Sequence, residues 1–137
     1  MFGERGMNFV RVLVADDDAD VRGLLEKYVK GEPALMLVGA ATNADEAIQL
    51  AEEHQPDAAL LDVNMPGGGG LRAVREIAQR SPKTSMIALS GYDDRNTVLE
   101  MLEAGAISYL VKGATREQIL QTVRRSIDAH AKLSELG

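Results

Sequence analysis

Five short, continuously apolar runs alternate along this chain with five longer segments whose apolar residues recur at helical spacing. A short apolar run is typical of a buried strand, and apolar residues three or four apart form one face of a helix. Strands that are apolar throughout need cover on both sides, which favours a parallel sheet between two layers of helices. We therefore predict a doubly wound α/β fold of five β/α units. The predicted strands are 9–15, 36–41, 58–61, 86–89 and 107–111.

The length of 137 residues suits one domain, and the sequence shows no internal repeat or low-complexity tract. Residues 1–8 lack the apolar core of a signal peptide, and we expect them to be a disordered leader. The domain itself is predicted to occupy residues 9–130. Residues 131–137 continue a helical pattern beyond the last unit, so they form either a helical tail or the start of a linker to a further domain.

Composition excludes several classes of function. A formal net charge of -6 disfavours direct binding to nucleic acid or to anionic membranes. No apolar run approaches the roughly 18 residues of a membrane-spanning helix. The absence of cysteine excludes disulfides and thiolate metal sites, and it agrees with a cytoplasmic location.

Chemically active residues follow four of the predicted strands. Three acids, Asp16-Asp17-Asp18, come directly after the first strand, and Asp62 ends the third. Ser90 follows the fourth strand and Lys112 the fifth. Because open parallel sheets bind ligands at the carboxyl ends of their strands, these side chains are expected to meet. Acids, a hydroxyl and a cation together suit a divalent metal and a phosphoryl group.

Four segments at these strand ends resemble the receiver domain of two-component response regulators. They occur in the order typical of that family and extend through nearly the whole chain. The resemblance implies a flavodoxin-like five-stranded parallel sheet with strand order 2-1-3-4-5. The matching segments are Val-Leu-Val-Ala-Asp-Asp-Asp (12–18), Leu-Leu-Asp-Val-Asn-Met-Pro-Gly (60–67), Ala-Leu-Ser-Gly (88–91) and Gly-Ala-Ile-Ser-Tyr-Leu-Val-Lys (105–112).

The resemblance implies a Mg²⁺-dependent phosphoryl transfer to Asp62, the acceptor carboxylate. Mg²⁺ prefers oxygen ligands, and an acid attacking a phosphoryl group needs a cation between them. The expected metal ligands are Asp16, Asp17, Asp62 and the backbone carbonyl of Asn64. Lys112 is expected to neutralise a phosphoryl oxygen as a compact point charge.

The resemblance also implies a conformational switch. Ser90 is expected to donate its hydroxyl to a phosphoryl oxygen, and Ser90 and Tyr109 are expected to move toward the site after phosphorylation. Asn64 and Tyr92 each lie two positions beyond a site residue, where this family tunes the lifetime of the phosphoryl group.

The resemblance implies partners as well. A sensor histidine kinase or a phosphotransfer protein would supply the phosphoryl group, and an output domain could follow the C-terminal end. A homodimer through the fourth helix, fifth strand and fifth helix is left open. Direct contact of this domain with nucleic acid or membrane is not expected.

Some features depart from the common family pattern. Gly113 stands where a proline is frequent after the lysine, so a cis peptide is not expected there. The glycines 67–70 lack a following Gly-Lys-Ser/Thr and are interpreted as a flexible loop, not a phosphate-binding P-loop. His54 and His130 are interpreted as exposed helix residues, neither with a nearby partner that suggests a base or a metal ligand.

Two other functions remain as alternatives. A Mg²⁺-dependent aspartyl-phosphate hydrolase would carry its nucleophile after the first strand, and Asp18-Ala19-Asp20 superficially fits that pattern. The chain is short for such an enzyme with a substrate-selecting cap, and turnover of a small phosphate monoester would favour it. The second alternative is an interaction module that works without phosphorylation, which would have no need for clustered acids.

Overall fold

The structure is a computed structural model that describes residues 9–91 and 94–136. Within these residues, strands and helices alternate from beginning to end. The strands are β1 (Val10–Ala15), β2 (Leu35–Ala41), β3 (Ala58–Asp62), β4 (Ser85–Ser90) and β5 (Ser108–Val111). The helices are α1 (Ala19–Lys30), α2 (Ala44–His54), α3 (Gly69–Arg80), α4 (Arg95–Ala104) and α5 (Arg116–Leu136).

The five strands form one parallel sheet in the order β2-β1-β3-β4-β5. This confirms the predicted fold class and strand order. The order reverses between β1 and β3, because the chain leaves β1 toward β2 on one side and later returns to β3 on the other. At such a reversal the loops after the two strands diverge and leave a crevice at the carboxyl edge.

Two apolar clusters cover the two faces of the sheet. Successive residues of a strand point to opposite faces, so Leu13 packs with α2, α3 and α4, while Val12 packs with α1 and α5. In β3, Leu61 belongs to the same cluster as Leu13, and Leu60 to the same cluster as Val12. The side chains of these four residues are fully buried. The sheet is therefore a rigid platform, and its strand ends are fixed in position by packing on both sides.

Side-chain caps begin three of the helices. Asp18 caps α1 by accepting from the backbone N–H groups of Asp20 and Val21. Before α5, Thr115 and Gln118 form the predicted reciprocal box, with bonds of 2.9 and 3.1 Å. The box predicted before α2 differs in one respect. Asn43 accepts from the Glu46 N–H, but the Glu46 carboxylate reaches back to Thr42 rather than to Asn43.

Helix α5 is much longer than the others, with 21 residues. Ile119, Val123 and Ser126 are buried against the sheet, whereas Leu133 and Leu136 are 56% and 85% exposed. None of the helices in the described part of the chain combines the length and the apolar character needed to cross a membrane.

The interpretation of His130 as an exposed residue is wrong. It is half-buried, and its Nδ1 lies 3.1 Å from the Oγ of Ser85, a buried residue at the start of β4. The partner of His130 is a serine at the start of β4, which the residues next to His130 in the sequence of α5 could not indicate. His54 is exposed, as expected, beside Glu53.

The glycine positions explain two local turns. Gly67, Gly68 and Gly69 have positive φ, a backbone conformation that residues with a side chain rarely adopt. They turn the chain from β3 into α3. Gly113 also has positive φ, at +99°, which a proline ring cannot adopt. No peptide bond in residues 9–91 and 94–136 is cis, in agreement with the expectation for Gly113.

Candidate functional site

Strand pairing brings the residues predicted for the site to one edge of the sheet. Asp62 is the last residue of β3 and pairs with Leu89 of β4, one residue before Ser90. Ser90 pairs in turn with Val111 of β5, one residue before Lys112. Asp16 follows β1 directly, and its backbone N–H donates to the last carbonyl of β2. The four residues thus lie at the carboxyl ends of four adjacent strands.

Lys112 lies between the two buried carboxylates. Its Nζ is 3.0 Å from Asp62 Oδ1 and 3.1 Å from Asp16 Oδ2. Asp16 and Asp62 are 0% and 1% exposed, while 28% of the Lys112 side chain is accessible. One cation therefore faces two acids in a region shielded from water, and the local charge is negative unless a second cation or a proton is added.

The two oxygens of Asp62 have different surroundings. Oδ1 accepts from the Asn64 backbone N–H at 3.1 Å and contacts Lys112. Oδ2 is buried and has no hydrogen-bond partner among the residues that the structure describes. Since a buried carboxylate oxygen normally has a partner, this oxygen is suited to a ligand that arrives from outside.

Asp16 has a related arrangement. Its Oδ1 accepts from the Asp18 backbone N–H at 2.9 Å. Its Oδ2 is close enough to Lys112 for an ion pair, but it forms no hydrogen bond of acceptable geometry within residues 9–91 and 94–136. Both buried acids thus present an oxygen that the described residues leave incompletely satisfied.

The pKa of Asp62 is raised from 3.8 to about 6. Burial is the main cause, because it disfavours the charged form, and the negative charge of Asp16 adds to the rise. The hydrogen bonds from Lys112 and from the Asn64 N–H act in the opposite direction. The Asp62 carboxylate is therefore mostly ionised at neutral pH, but at a cost to the folded state.

The pKa of Lys112 is shifted upward. Burial alone would lower it, but the close contacts with the carboxylates of Asp62 and Asp16, and their negative charges, outweigh that effect. Lys112 is therefore fully protonated at neutral pH and acts as a fixed positive charge.

Three carboxylates form a group that could hold a metal ion. Asp16, Asp17 and Asp62 each offer one oxygen, and these atoms lie within 4.8 Å of one another. An all-oxygen set suits Mg²⁺, which usually retains several waters, and the exposure of Asp17 leaves room for them. Asp16 and Asp62, the two residues with a buried and incompletely satisfied oxygen, both belong to this group, which supports the fit of a hard cation.

Ser90 and Tyr109 lie on the neighbouring strands β4 and β5, and the Ser90 hydroxyl is bonded to β5 rather than to the acids. The Ser90 hydroxyl is 5% exposed and donates to the backbone carbonyl of Leu110 at 3.4 Å. Tyr109 is 53% exposed on the outer side of β5. A cavity of about 400 Å³ separates β5 from α4, and Ser90, Leu102 and Tyr109 are among its lining residues. Both side chains thus have space for another arrangement.

Sequence reasoning missed two residues that hold the site loops. Arg22 of α1 donates from Nη1 to the Asp16 backbone carbonyl at 2.9 Å. Asp94, just before α4, accepts from the Asn64 side chain and from the Gly91 backbone N–H. Neither residue ends a strand, so the pattern that found the acids gave no signal for them. Tyr92, predicted to tune phosphoryl lifetime, lies outside the described residues.

The alternative nucleophile Asp18 does not join the group. Its side chain is exposed, and its Oδ1 is engaged in capping α1. The strand-end residue of β1 that faces Lys112 is Asp16 instead.

Comparison with known proteins shows similarity over most of the described chain. The sequence model of the response regulator receiver domain matches residues 12–124. The transcriptional regulatory protein LiaR of Bacillus subtilis is 32% identical over 124 residues, covering 90% of this chain and 59% of LiaR. The response regulator GacA of Pseudomonas viridiflava is 35% identical, covering 84% of this chain and 54% of GacA. This chain thus spans somewhat more than half the length of these relatives.

Solved structures show the same similarity. The signal receiver domain of NarL from Mycobacterium tuberculosis superposes with a TM-score of 0.83 at 30% identity. The superposition covers 88% of this chain and 98% of the other.

Proposed function

Because this chain belongs to the response regulator receiver domain family, we propose that it accepts a phosphoryl group on Asp62 in a Mg²⁺-dependent reaction. The phosphorylated domain then changes conformation and controls an output. The observation that carries this proposal concerns the two oxygens of Asp62: Oδ2 is buried and has no hydrogen-bond partner in the described part of the chain, and the Lys112 ammonium contacts Oδ1. A nucleophilic oxygen and a fixed positive charge occupy the same strand edge.

The metal would be held by Asp16, Asp17, Asp62 and the backbone carbonyl of Asn64. When bound, Mg²⁺ supplies positive charge that reduces the repulsion between the acceptor carboxylate and an incoming phosphoryl group. The sequence Asp-Asp-Asp at 16–18 would divide its roles, since Asp18 caps α1 and leaves Asp16 and Asp17 for the ion.

The transfer itself is a displacement at phosphorus. Asp62 Oδ2 forms the new O–P bond as the P–N bond to a donor histidine breaks, and the leaving imidazole nitrogen keeps the bonding electron pair. With acetyl phosphate as donor, a P–O bond breaks and acetate leaves. Lys112 stays protonated throughout and pairs with a phosphoryl oxygen, so this chain contributes position and charge rather than a proton.

Two further groups would respond to the product. The Ser90 hydroxyl would leave the Leu110 carbonyl and donate to a phosphoryl oxygen, and Tyr109 would turn into the space beside α4. A hydrogen bond to a charged acceptor contributes about 1.5–3 kcal/mol, enough to shift a modestly biased equilibrium between two conformations. Asn64 and Tyr92 would set how long the phosphoryl group persists.

The partners belong to the same proposal. A sensor histidine kinase or a phosphotransfer protein would be the donor, and the location would be cytoplasmic. The relatives LiaR and GacA are a transcriptional regulatory protein and a response regulator, and this chain covers 59% and 54% of them. We therefore assign residues 9–130 to the receiver and residues 131–137 to a helical tail or to the start of a linker to an output domain.

Labelling with acetyl phosphate tests the proposal. Wild-type protein with Mg²⁺ should gain one phosphoryl group, located at Asp62 by peptide mass spectrometry, and Asp62→Asn should gain none. Asp128→Asn, the same chemical change on the exposed face of α5, should be labelled like the wild type. A phosphoryl group found at another residue, or unchanged labelling of Asp62→Asn, would overturn the assignment.

A further inference from the structure

The carboxylate of Asp94 joins two segments of the site that are far apart in sequence. Its Oδ1 accepts from Asn64 Nδ2 at 3.2 Å, and its Oδ2 accepts from the Gly91 backbone N–H at 2.6 Å. Asn64 lies in the turn after β3, two residues beyond Asp62, and Gly91 directly follows Ser90. One half-buried side chain therefore connects the acceptor end of β3 with the hydroxyl end of β4.

Capping of α4 does not account for this carboxylate. An aspartate just before a helix ordinarily accepts from backbone N–H groups of the first turn. Asp94 occupies that position, yet its side chain makes no such bond, and only its backbone carbonyl accepts from Val98. The side chain is committed to the two neighbouring segments instead.

The close approach at Gly91 depends on the absence of a side chain there. A Cβ built on Gly91 would lie 3.2 Å from Asp94 Oδ2, tighter than an ordinary contact. The short bond to the Gly91 N–H and the missing Cβ therefore agree, and both place the Asp94 carboxylate directly against the backbone that follows Ser90.

The two connected segments must act on the same phosphoryl group. The Asn64 N–H already holds Asp62 Oδ1, while the Ser90 hydroxyl has to come within hydrogen-bonding distance of a group on Asp62 Oδ2. If the segments moved independently, each binding event would have to order both, with a loss of conformational entropy. A fixed connection removes much of that loss.

We propose that Asp94 is a positioning residue of the phosphoryl-transfer site, which holds Asn64 and the Ser90–Gly91 segment at the separation that a phosphoryl group on Asp62 requires. This inference rests on the proposed function and adds a residue to it. Asp94 contacts no reacting atom in this scheme and acts through Asn64 and Gly91.

Removal of the connection should weaken the response to a phosphoryl group without unfolding the domain. We expect Asp94→Ala to bind beryllofluoride with Mg²⁺ roughly tenfold more weakly and to be labelled by acetyl phosphate more slowly by a similar factor, since one charged hydrogen-bonded connection is lost. Asp94→Asn keeps an acceptor oxygen for the Gly91 N–H but loses the negative charge, and it can bond Asn64 only if the Asn64 amide rotates to present its oxygen, so its loss should be intermediate.

The test combines four variants with two measurements. Beryllofluoride titrations followed by NMR and acetyl phosphate labelling rates are compared for Asp94→Ala, Asp94→Asn, Asn64→Ala and the double variant of Asp94→Ala with Asn64→Ala. Glu100→Ala is the matched control, because it removes a negative charge from the exposed face of α4 and should behave as wild type. Melting temperatures are recorded for every variant.

Two results together support the inference: a graded loss from Asp94→Asn to Asp94→Ala at little-changed melting temperature, and a double variant no weaker than Asp94→Ala alone. Wild-type affinity and labelling rate in Asp94→Ala, or effects of Asp94 and Asn64 that multiply, overturn it while Asp62 remains the acceptor. If Asp94→Ala does not fold, Asp94→Asn decides in the same way. Failure of wild-type protein to be labelled on Asp62 overturns the proposed function, and this inference with it.

Discussion

The carboxyl edge of the sheet has two halves, an acid half and a hydroxyl half, which differ in how far their polar groups are paired. The acid half, which consists of Asp16, Asp17, Asp62 and Lys112, contains two buried carboxylates that share one ammonium and each leave an oxygen incompletely bonded. The hydroxyl half consists of Ser90 and Tyr109. The buried Ser90 hydroxyl donates to the backbone carbonyl of Leu110, and about half of the Tyr109 side chain is exposed to solvent.

This difference implies that the two halves have different effects on the domain. Negative charges held close together in a buried region raise the free energy of the folded state until a cation binds. The hydroxyl half contains no such repelling charges, so its side chains can rearrange at a small cost in free energy. Changes in the acid half should therefore alter stability, whereas changes in the hydroxyl half should alter mainly the conformational response to phosphorylation.

The largest effect is expected from Lys112→Met. At pH 8 without metal, it leaves Asp16 and Asp62 buried without a counter-charge, and loss of one partner of a buried ion pair costs about 3–5 kcal/mol. The loss should shrink at pH 5, where Asp62 can take up a proton. Urea unfolding at both pH values measures it. Lys132→Met, at an exposed position of α5, is the control and should change little. Equal losses in the two variants would contradict the comparison.

A pH titration of stability should show the raised pKa of Asp62. The unfolded carboxyl group releases its proton near pH 4, whereas the folded one keeps it to about pH 6, so the folded state binds more protons between these values. The free energy of unfolding should therefore fall by about 1–3 kcal/mol as the pH rises through this window in EDTA. Asp62→Asn should lack this fall, and the same slope in both proteins would refute the assignment.

Metal binding should relieve the same tension. At a Mg²⁺ concentration about tenfold above its dissociation constant, mass action should stabilise the wild type by about 1.4 kcal/mol. Asp17→Ala should lose most of that gain and be at least as stable as wild type in EDTA, because one acid of the cluster is gone. Thermal melting with and without Mg²⁺ measures both. Asp20→Ala removes a neighbouring exposed acid outside the group and should retain the Mg²⁺ response.

The smallest change in stability is expected in the hydroxyl half. Ser90→Ala removes a long hydrogen bond of 3.4 Å and should cost about 0.5 kcal/mol. Its effect should appear with beryllofluoride and Mg²⁺, where the wild-type Tyr109 ring resonances shift and those of Ser90→Ala do not. Ser90→Thr restores the hydroxyl and should restore the shift. Tyr109 resonances that remain silent in the wild type would show that this half does not respond.

The sequence was most informative about the acid half because that half derives directly from strand ends. An apolar run that stops at a carboxylate predicts both the end of a buried strand and the position of the acid, so Asp16, Asp62 and Lys112 could be placed together. The packing that fixes them is periodic along each strand and needs no knowledge of distant contacts.

The remaining contacts could not be predicted because each depends on two segments that meet only after folding. Asp94 reaches Asn64 across 30 residues of sequence, and His130 reaches Ser85 across 45. No pattern of neighbouring residues in the sequence predicts either contact. The Glu46 carboxylate illustrates a finer limit, since its choice of Thr42 over Asn43 depends on rotamers that a cap motif does not specify.

The contact between His130 and Ser85 also gives α5 the geometry of a lever. The helix is held against the sheet as far as this contact, and six residues, from Ala131 to Leu136, extend beyond it. With a rise of about 1.5 Å per residue, these six residues extend about 9 Å beyond the contact, so each degree of tilt about His130 moves Leu136 by about 0.2 Å. A change at the strand edge that tilted this end of α5 would thus move Leu136, and any following segment of chain would receive it as a displacement.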